Sequence, residues 1–175
     1  MPVSAFDLFT IGIGPSSSHT IGPMRAAHRF VLALRSEGHL ANTTKLRIQL
    51  FGYLGANGKG QGTAKALIGG LRGWLPESAD PEDLFALERT VCKLQKLSLL
   101  DQQEIAFDPS TDIEFSRKSL DFHSNGMTFC SLDSSDCELF ARTYYSVGGG
   151  FVAEDDHCDV AYPCVAETAL PYPFS

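Results

Sequence analysis

Three short segments of the 175-residue chain carry histidines and hydroxyl groups at a density that an ordinary surface loop does not need. The first, GPSSSHTIGP at residues 14–23, places three serines, a histidine and a threonine directly before a predicted helix. Free backbone N–H groups and the helix dipole favour a carboxylate or a phosphate there, and the hydroxyls add donors. A helix cap with more hydroxyls than it needs explains the pattern equally well.

The second segment is glycine-rich, spans residues 52–63 and lies between a predicted strand and a predicted helix. It is not a P-loop, because that motif needs a glycine where Tyr53 stands and a serine or threonine where Gly60 stands. No dinucleotide-binding fingerprint follows the strand either. The segment predicts a turn that brings backbone amides and Lys59 close to a small ligand, or else a plain flexible loop.

The third segment consists of two parts, FHSNGM at 122–127 and TYYSVGGGF at 143–151. Histidine is the side chain whose ordinary pKa suits proton transfer near neutral pH, so His123 is a candidate acid or base. A histidine beside a turn is nevertheless more often structural than catalytic. Three consecutive glycines after a predicted strand indicate that the backbone approaches another group closely.

Three helices are predicted in the first half of the chain from apolar spacing and capping signals. The first begins near Gly22, is capped by Thr20 or a neighbouring polar group, and ends at Gly38. The second spans residues 63–73, although its glycines weaken it. The third begins after Asp80, with proline at its first position and acids in its first turn. Its predicted buried stripe consists of Leu84, Leu87, Val91 and Leu94.

Strands are predicted by alternation at residues 45–53 and by short β-branched or aromatic runs in the second half. Those runs are QEIAF, DIEFS, MTFCSL and ELFARTYYSV, and the last two form a predicted hairpin. The predicted fold class is therefore α/β (α+β), with helices packed on a mixed, mostly antiparallel sheet. Residues 1–153 form the predicted domain, and residues 154–175 an acidic, proline-rich tail.

Composition excludes several classes of function. The chain is 43% hydrophobic and 20% charged with a net charge of −7, which argues against a nucleic-acid or anionic-membrane partner. No apolar run is long enough to span a bilayer, and no basic leader opens the chain, so a cytosolic location is expected. Five cysteines without a C-x-x-C pair predict free or buried thiols and no metal site.

These motifs, in this order, resemble the β domain of the bacterial iron–sulfur L-serine dehydratases, also called L-serine ammonia-lyases. The matching stretches are FDLFTIGIGPSSSHTIGPMRAA, GKGQGT, FHSNGM and TYYSVGGGF, and the resemblance covers nearly the whole chain. The closing LPYPFS is similar to the start of the linker to the family's α domain. The resemblance also implies a relation to the allosteric substrate-binding domain of some phosphoglycerate dehydrogenases.

The resemblance implies conversion of L-serine to pyruvate and ammonia with the help of a [4Fe–4S] cluster. The family carries that cluster on three cysteines of the α domain, so none of the five cysteines of this chain is assigned to it. This chain is expected to bind no cofactor, neither cluster nor pyridoxal phosphate, and to be inactive alone. The implied partners are L-serine, an α domain in cis or in trans, and a second copy of the chain in a homodimer.

The resemblance also transfers site residues. The implied catalytic candidates are His19, His123 and Tyr144. Hydroxyl and amide groups that would bind the substrate are implied at Ser17, Ser18, Gln61, Thr63, Asn125 and Ser146. Which histidine acts as the base is left open.

The second segment departs from the family pattern, which resembles YGSL-x-x-TGKGH-x-T-D. Gln61 stands where a histidine is usual and Ala64 where an aspartate is usual, and the serine is lost at Tyr53. Glutamine can form hydrogen bonds but cannot carry a proton near pH 7. This loss favours an alternative, a non-enzymatic module that binds serine or a small anion, whereas the two retained histidines favour the enzyme.

Overall fold

The computed structural model describes residues 13–154. The helices are α1 (Ile21–Ser36), α2 (Gly52–Gln61), α3 (Thr63–Arg72), α4 (Pro81–Leu94) and the single turn α5 (Pro109–Asp112). The strands are β1 (Lys45–Leu50), β2 (Lys96–Leu99), β3 (Gln103–Ala106), β4 (Ile113–Phe115), β5 (Gly126–Leu132), β6 (Glu138–Gly148) and β7 (Phe151–Glu154).

Strand β1 lies at the centre of a seven-stranded sheet, in which six strands follow the order β2-β3-β1-β5-β6-β7 and β4 pairs with β1. On one side β1 pairs antiparallel with β5 along its whole length. On the other side it pairs parallel with β3 at its start and with β4 at its end. The remaining pairs are antiparallel, so the predicted mixed, mostly antiparallel sheet is confirmed.

The core lies between the sheet and the helices, where α1 packs against α3, β6 and β7. Alternate residues of β1 point into it, and Leu46, Ile48 and Leu50 are buried. Phe30 of α1 stacks on Phe129 of β5 with ring centroids 5.1 Å apart. Burying each large apolar side chain contributes about 1.5–3 kcal/mol, which holds α1 against the sheet.

Helix α1 confirms the predicted helix, and its apolar residues that recur at helical spacing are buried, namely Met24, Ala27, Val31 and Leu34. The predicted cap is wrong in detail, because the Thr20 side chain makes no capping hydrogen bond to the helix. Its hydroxyl instead donates to the carbonyl of Ser16 at 2.6 Å. The chain therefore already turns helically one turn before α1 begins.

The turn predicted for the glycine-rich segment is wrong, because residues 52–61 form helix α2. Glycine normally disfavours a helix interior, but in α2 it permits close packing. A Cβ at Gly55 would lie 1.9 Å from the carbonyl oxygen of Ser116. The missing side chain therefore lets α2 approach a neighbouring backbone, and tertiary packing overrides the low helix propensity.

Helix α4 begins as predicted, since the Asp80 carboxylate accepts the Glu82 N–H at 2.7 Å. The predicted burial of Leu94 is wrong, because this side chain is 58% exposed. Gln95 adopts a left-handed conformation with φ 52°, which ends the helix and directs the chain into β2. Strand β2 has no counterpart in the sequence prediction.

The β5–β6 hairpin is confirmed by seven register pairs beginning at Gly126 and Tyr145. Glu154, predicted to belong to the tail, is instead the last residue of β7 and pairs with Tyr144. The rest of the predicted tail lies outside the described residues, as do residues 1–12. Within residues 13–154, no helix has both the length and the apolar character needed to cross a membrane.

Candidate active site

The predicted segments meet at one end of the sheet, beside the first turn of α1. The imidazole Nε2 of His19 lies 3.3 Å from the carbonyl oxygen of Tyr53, at the start of α2. The Tyr53 N–H donates to the Ser124 carbonyl at 3.0 Å. The carbonyl of the next residue, Asn125, accepts the Ser146 N–H at 2.9 Å. Hydrogen bonds therefore connect all three segments into one site.

His19 is only 7% exposed, and its two ring nitrogens have different partners. A carbonyl oxygen can only accept, so the contact with Tyr53 places a hydrogen on Nε2. In the neutral imidazole, Nδ1 is then the acceptor. It lies 3.0 Å from the hydroxyl of Ser18 and 3.3 Å from that of Ser16. The basic lone pair of His19 therefore points at serine hydroxyls.

The serine turn, defined as residues 16–20, differs from the predicted helix cap. The Ser16 carbonyl accepts the N–H groups of His19 and Thr20, so the turn starts there. The first N–H groups of α1 are largely bonded to backbone carbonyls of this turn. Among the described residues, the N–H groups of Ser17 and Ser18 have no carbonyl acceptor. Backbone donors that could bind an anion therefore lie on the serine turn, one turn before α1.

His123 has its backbone partner on the other ring nitrogen, Nδ1 instead of Nε2. Its Nδ1 accepts the backbone N–H of Asn125 at 3.0 Å, so the neutral ring carries hydrogen on Nε2. The amide Nδ2 of Asn125 donates to the Ser146 carbonyl at 3.3 Å. That bond orients the amide and leaves its Oδ1 as the remaining acceptor. His123 thus offers the site a hydrogen-bond donor, whereas His19 offers it an acceptor.

Two buried oxygens in this region lack a partner in the described part of the chain, Oδ1 of Asn125 and Oγ of Ser146. The two residues face each other across β5 and β6, so their side chains lie on the same face of the sheet. Gly22 of α1 covers this face, because a Cβ there would lie 2.1 Å from Ser146 Oγ. Buried polar atoms without a partner are rare and costly, so this pair marks a place that favours a polar ligand group.

Thr63 and Gln61, both from the glycine-rich segment, have different surroundings. Thr63 is fully buried, and its hydroxyl donates to the His19 carbonyl at 2.7 Å. Gln61 is the last residue of α2 and is half-buried. Within the described residues, neither His19 nor His123 forms a hydrogen bond with it. The structure joins Thr63 to the site and gives Gln61 no contact of this kind.

Comparison with known proteins decides the family. The family model described as serine dehydratase beta chain matches residues 4–157. The chain belongs to the serine dehydratase beta chain family. The resemblance drawn from the motifs is confirmed.

The curated relatives of this beta chain are longer proteins. An L-serine dehydratase of Streptomyces coelicolor is 46% identical over 175 residues, which is 99% of this chain and 38% of the relative. L-serine dehydratase TdcG of Escherichia coli is 39% identical over 98% of this chain and 37% of its own length. An L-serine dehydratase of Haemophilus influenzae is 36% identical over 97% of this chain and 38% of its own length. The beta chain therefore spans a little over a third of these relatives.

Tyr144 of the beta chain lies in the hydrophobic core and is only 1% exposed. Its ring packs edge-on against Phe129 with centroids 5.8 Å apart. Burial raises the pKa of its phenol far above the ordinary value, so the hydroxyl stays protonated. Within the described residues no hydrogen bond joins it to His19 or His123. The structure thus separates this catalytic candidate from the two histidines.

Sequence reasoning missed Arg25, which holds the triple-glycine turn at the site end of the sheet. Its Nη1 donates to the Gly150 carbonyl at 2.8 Å, and its Nη2 bonds to Glu77. The three glycines have φ values of 101°, 58° and 79°, which side-chain-bearing residues rarely adopt. The glycine triplet was the available signal, and the close approach it predicted is confirmed because Gly150 packs against Ile21.

The described residues do not fit an iron–sulfur cluster. Between residues 13 and 154, no group of three or more His, Cys, Asp or Glu side chains could hold a metal ion. Burial and the adjacent Glu138 carboxylate raise the pKa of the Cys130 thiol to about 11. The raised pKa means that less of this thiol is thiolate, the form that binds metals, than in an ordinary cysteine. Cys158 and Cys164 lie outside the described residues.

Proposed function

We propose that this beta chain forms part of an L-serine dehydratase, which converts L-serine to pyruvate and ammonia. The observation that carries the proposal is the buried hydrogen-bonded site that joins His19, the serine turn and the pair Asn125–Ser146. Family membership and the relatives' names support the reaction. A buried site of this kind provides both a proton acceptor and a proton donor, which a dehydration requires.

The arrangement of hydrogen atoms suggests how the two histidines share the reaction. Dehydration removes a proton from Cα while hydroxide leaves Cβ, and the C–H electron pair becomes the new C=C bond. His19 accepts the Cα proton at Nδ1, through the hydroxyl of Ser18 that bonds to this nitrogen. His123 holds the leaving hydroxyl through a hydrogen bond from its Nε2–H, and the hydroxide departs as water with the proton that His19 took from Cα. The resulting aminoacrylate then hydrolyses to pyruvate and ammonia.

The substrate groups that do not react have matching partners. The N–H groups of Ser17 and Ser18 and the hydroxyl of Ser17 suit the carboxylate of L-serine. Oδ1 of Asn125 is an acceptor, and it suits the ammonium group. We propose that Ser17, Ser18, Asn125 and Ser146 bind the substrate through these atoms, with Gln61 at the edge of the pocket.

The rest of the enzyme completes the site. We propose that an α domain, in cis or in trans, holds the [4Fe–4S] cluster, because the described residues of this chain do not fit one. The relatives' greater length supports such a companion. We further propose that the assembled protein works in the cytoplasm as a homodimer, and that this chain alone does not turn over serine.

The test measures pyruvate from L-serine with this chain alone and with it joined to an α domain after anaerobic cluster assembly. We expect pyruvate only from the joined protein. Pyruvate from the chain alone would contradict the division of the site between two domains. A joined protein that holds its cluster but forms no pyruvate would contradict the dehydratase proposal.

A second candidate function is a regulatory module that binds serine without catalysis. Gln61 favours it, because this amide stands where the family usually has a histidine. Titration calorimetry with L-serine, run beside the pyruvate assay, separates the two candidates. Heat of binding without turnover in the joined protein supports the module, and turnover supports the enzyme.

A further inference from the structure

A buried threonine of the glycine-rich segment fastens the main chain of His19. Thr63 is the first residue of α3 and is 0% exposed. Its hydroxyl donates to the His19 carbonyl at 2.7 Å, across a separation of 44 residues. Since α3 packs against both α1 and α4, the donor stands on a fixed support. Because this hydroxyl donates its single hydrogen to the His19 carbonyl, it has no hydrogen left to donate to a substrate.

Two glycines make this contact possible. A Cβ at Gly58 would lie 3.0 Å from Thr63 Oγ1, so glycine at this position leaves room for the hydroxyl. Gly62 adopts φ +77°, which breaks the chain between α2 and α3 and lets α3 start at a new angle. The glycines of this segment therefore serve to bring Thr63 to His19.

Helix α2 holds the imidazole ring of the same histidine. The Tyr53 carbonyl, in the first turn of α2, accepts the hydrogen on His19 Nε2. Thr63 lies two residues after the last residue of α2 and holds the main chain of His19. His19 is thus fixed at both its backbone and its ring, and these two anchors aim its Nδ1 at Ser18.

We propose that Thr63 is a positioning residue for His19 and makes no contact with the substrate. The inference rests on the proposed dehydratase function, because His19 is there the proton acceptor. Loss of the hydroxyl releases the His19 main chain and lets Nδ1 drift from its place. A displacement of about 1 Å at a reacting group can cost on the order of 100-fold in rate.

Thr43 offers a matched control. It is likewise 0% exposed, and its hydroxyl donates to a histidine carbonyl, that of His39, at 2.9 Å. It lies before the start of β1, far along the strand from the candidate site. Thr43→Val therefore removes a buried bond of the same kind without touching His19.

The kinetic test compares Thr63→Val, Thr63→Ser and Thr43→Val in the complete dehydratase. Thr63→Val lowers kcat by about 30-fold and changes KM by less than about threefold. Thr63→Ser keeps the donor and restores kcat to within about threefold of the parent. Thr43→Val lowers Tm by a similar amount but leaves kcat within about twofold. Equal kcat in the two valine variants, or a rise in KM alone for Thr63→Val, would overturn the proposal.

A second measurement needs no turnover. Nitrogen-15 NMR of the imidazoles in this chain distinguishes hydrogen on Nε2 from hydrogen on Nδ1. We expect His19 as the Nε2–H form in the parent and in Thr43→Val, and a mixture of forms in Thr63→Val. An unchanged His19 spectrum in a folded Thr63→Val would overturn the positioning role. A complete protein that never forms pyruvate would instead contradict the dehydratase function. The NMR result would still test whether Thr63 positions His19, because it does not depend on turnover.

Discussion

Two buried threonines, one near each end of β1, donate a hydrogen bond to a histidine carbonyl, but the two bonds connect different parts of the chain. Before the start of β1, Thr43 donates to the carbonyl of His39, four residues earlier in the chain. At the site end, Thr63 donates to the carbonyl of His19, 44 residues away. The first bond closes a local turn, whereas the second joins separate segments. Identical local chemistry therefore supports a functional site only where it fixes a group shared by several elements.

The two histidine rings differ in the same way. The ring of His39 lies against Phe140, with centroids 6.0 Å apart. Both ring nitrogens of His19 have hydrogen-bond partners from other residues. A cleft of about 420 Å³ opens near the start of β1, lined mainly by charged and polar groups such as Lys45 and Asp136, which form an exposed ion pair. This cleft therefore lies at the end of β1 opposite the candidate site.

The largest expected difference in kcat between the two ends of β1 comes from replacing His19 at the site end and His39 at the other end. The proposed proton-acceptor role of His19 predicts that His19→Asn lowers the kcat of the complete protein by about 1,000-fold. His39→Asn, the control, leaves kcat within about twofold because it removes only a packing contact. Pyruvate formation at saturating L-serine measures both. Equal losses of kcat in the two variants would contradict a functional difference between His19 and His39.

A smaller effect tests the proposed role of His123 as a hydrogen-bond donor to the leaving hydroxyl. Glutamine places an N–H near the position of Nε2, whereas asparagine can replace only the Nδ1 acceptor. We expect His123→Asn to lower kcat by about 100-fold and His123→Gln by about 10-fold. The same pyruvate assay ranks the two variants. The reverse order would mean that His123 Nδ1, which accepts the Asn125 N–H, matters more for kcat than the Nε2–H donor.

Two glycine-to-alanine substitutions test how closely α1 packs over Ser146. Gly22→Ala would place a Cβ 2.1 Å from Ser146 Oγ, so we expect unfolding free energy to fall by about 1–3 kcal/mol. Gly60→Ala meets open space in α2, so it should raise that free energy by about 0.5–1 kcal/mol. Urea unfolding measures both changes. A neutral Gly22→Ala would show that α1 does not cover the site closely.

The smallest expected effect concerns the ion pair beside the triple-glycine turn. The bond from Arg25 lowers the pKa of Glu77 below its ordinary value near 4.5. Because the folded pKa is the lower one, the pair stabilises the fold above that ordinary value and stops doing so as pH falls through the folded pKa. Both groups are partly exposed, so Glu77→Gln should cost at most about 1 kcal/mol at pH 7. Tm measured from pH 7 to pH 3 should show the two proteins converging in acid.

Local signals predicted much of this fold correctly. The spacing of apolar residues identified α1, and Asp80 identified the start of α4. The motifs also selected a group of residues that the fold brings together, including His19, Asn125 and Ser146. These features are encoded within a few neighbouring residues, or in motifs shared with a family, so a single sequence suffices to find them.

The wrong predictions lie where distant contacts decide the outcome. Helix α2 forms despite its glycines because Gly55 packs against the backbone of Ser116, about 60 residues later. The core position of Tyr144 beside Phe129 is likewise not visible in its motif, and its catalytic role stays a prediction. The carbonyl of Tyr53 carries no side-chain signal at all. Such contacts become visible only when the chain is folded.

The central position of β1 also has a consequence for the order of folding. Its two edges are covered by strands that arrive late in the chain, β4 on one side and β5 on the other. The contact from Arg25 to Gly150 spans 125 residues, so closing it carries a large loop entropy. A refolding chain should therefore form α1 early but acquire its aligned histidines only in the slowest phase. A nascent chain that stops short of β6 lacks Ser146 and therefore cannot complete the candidate site.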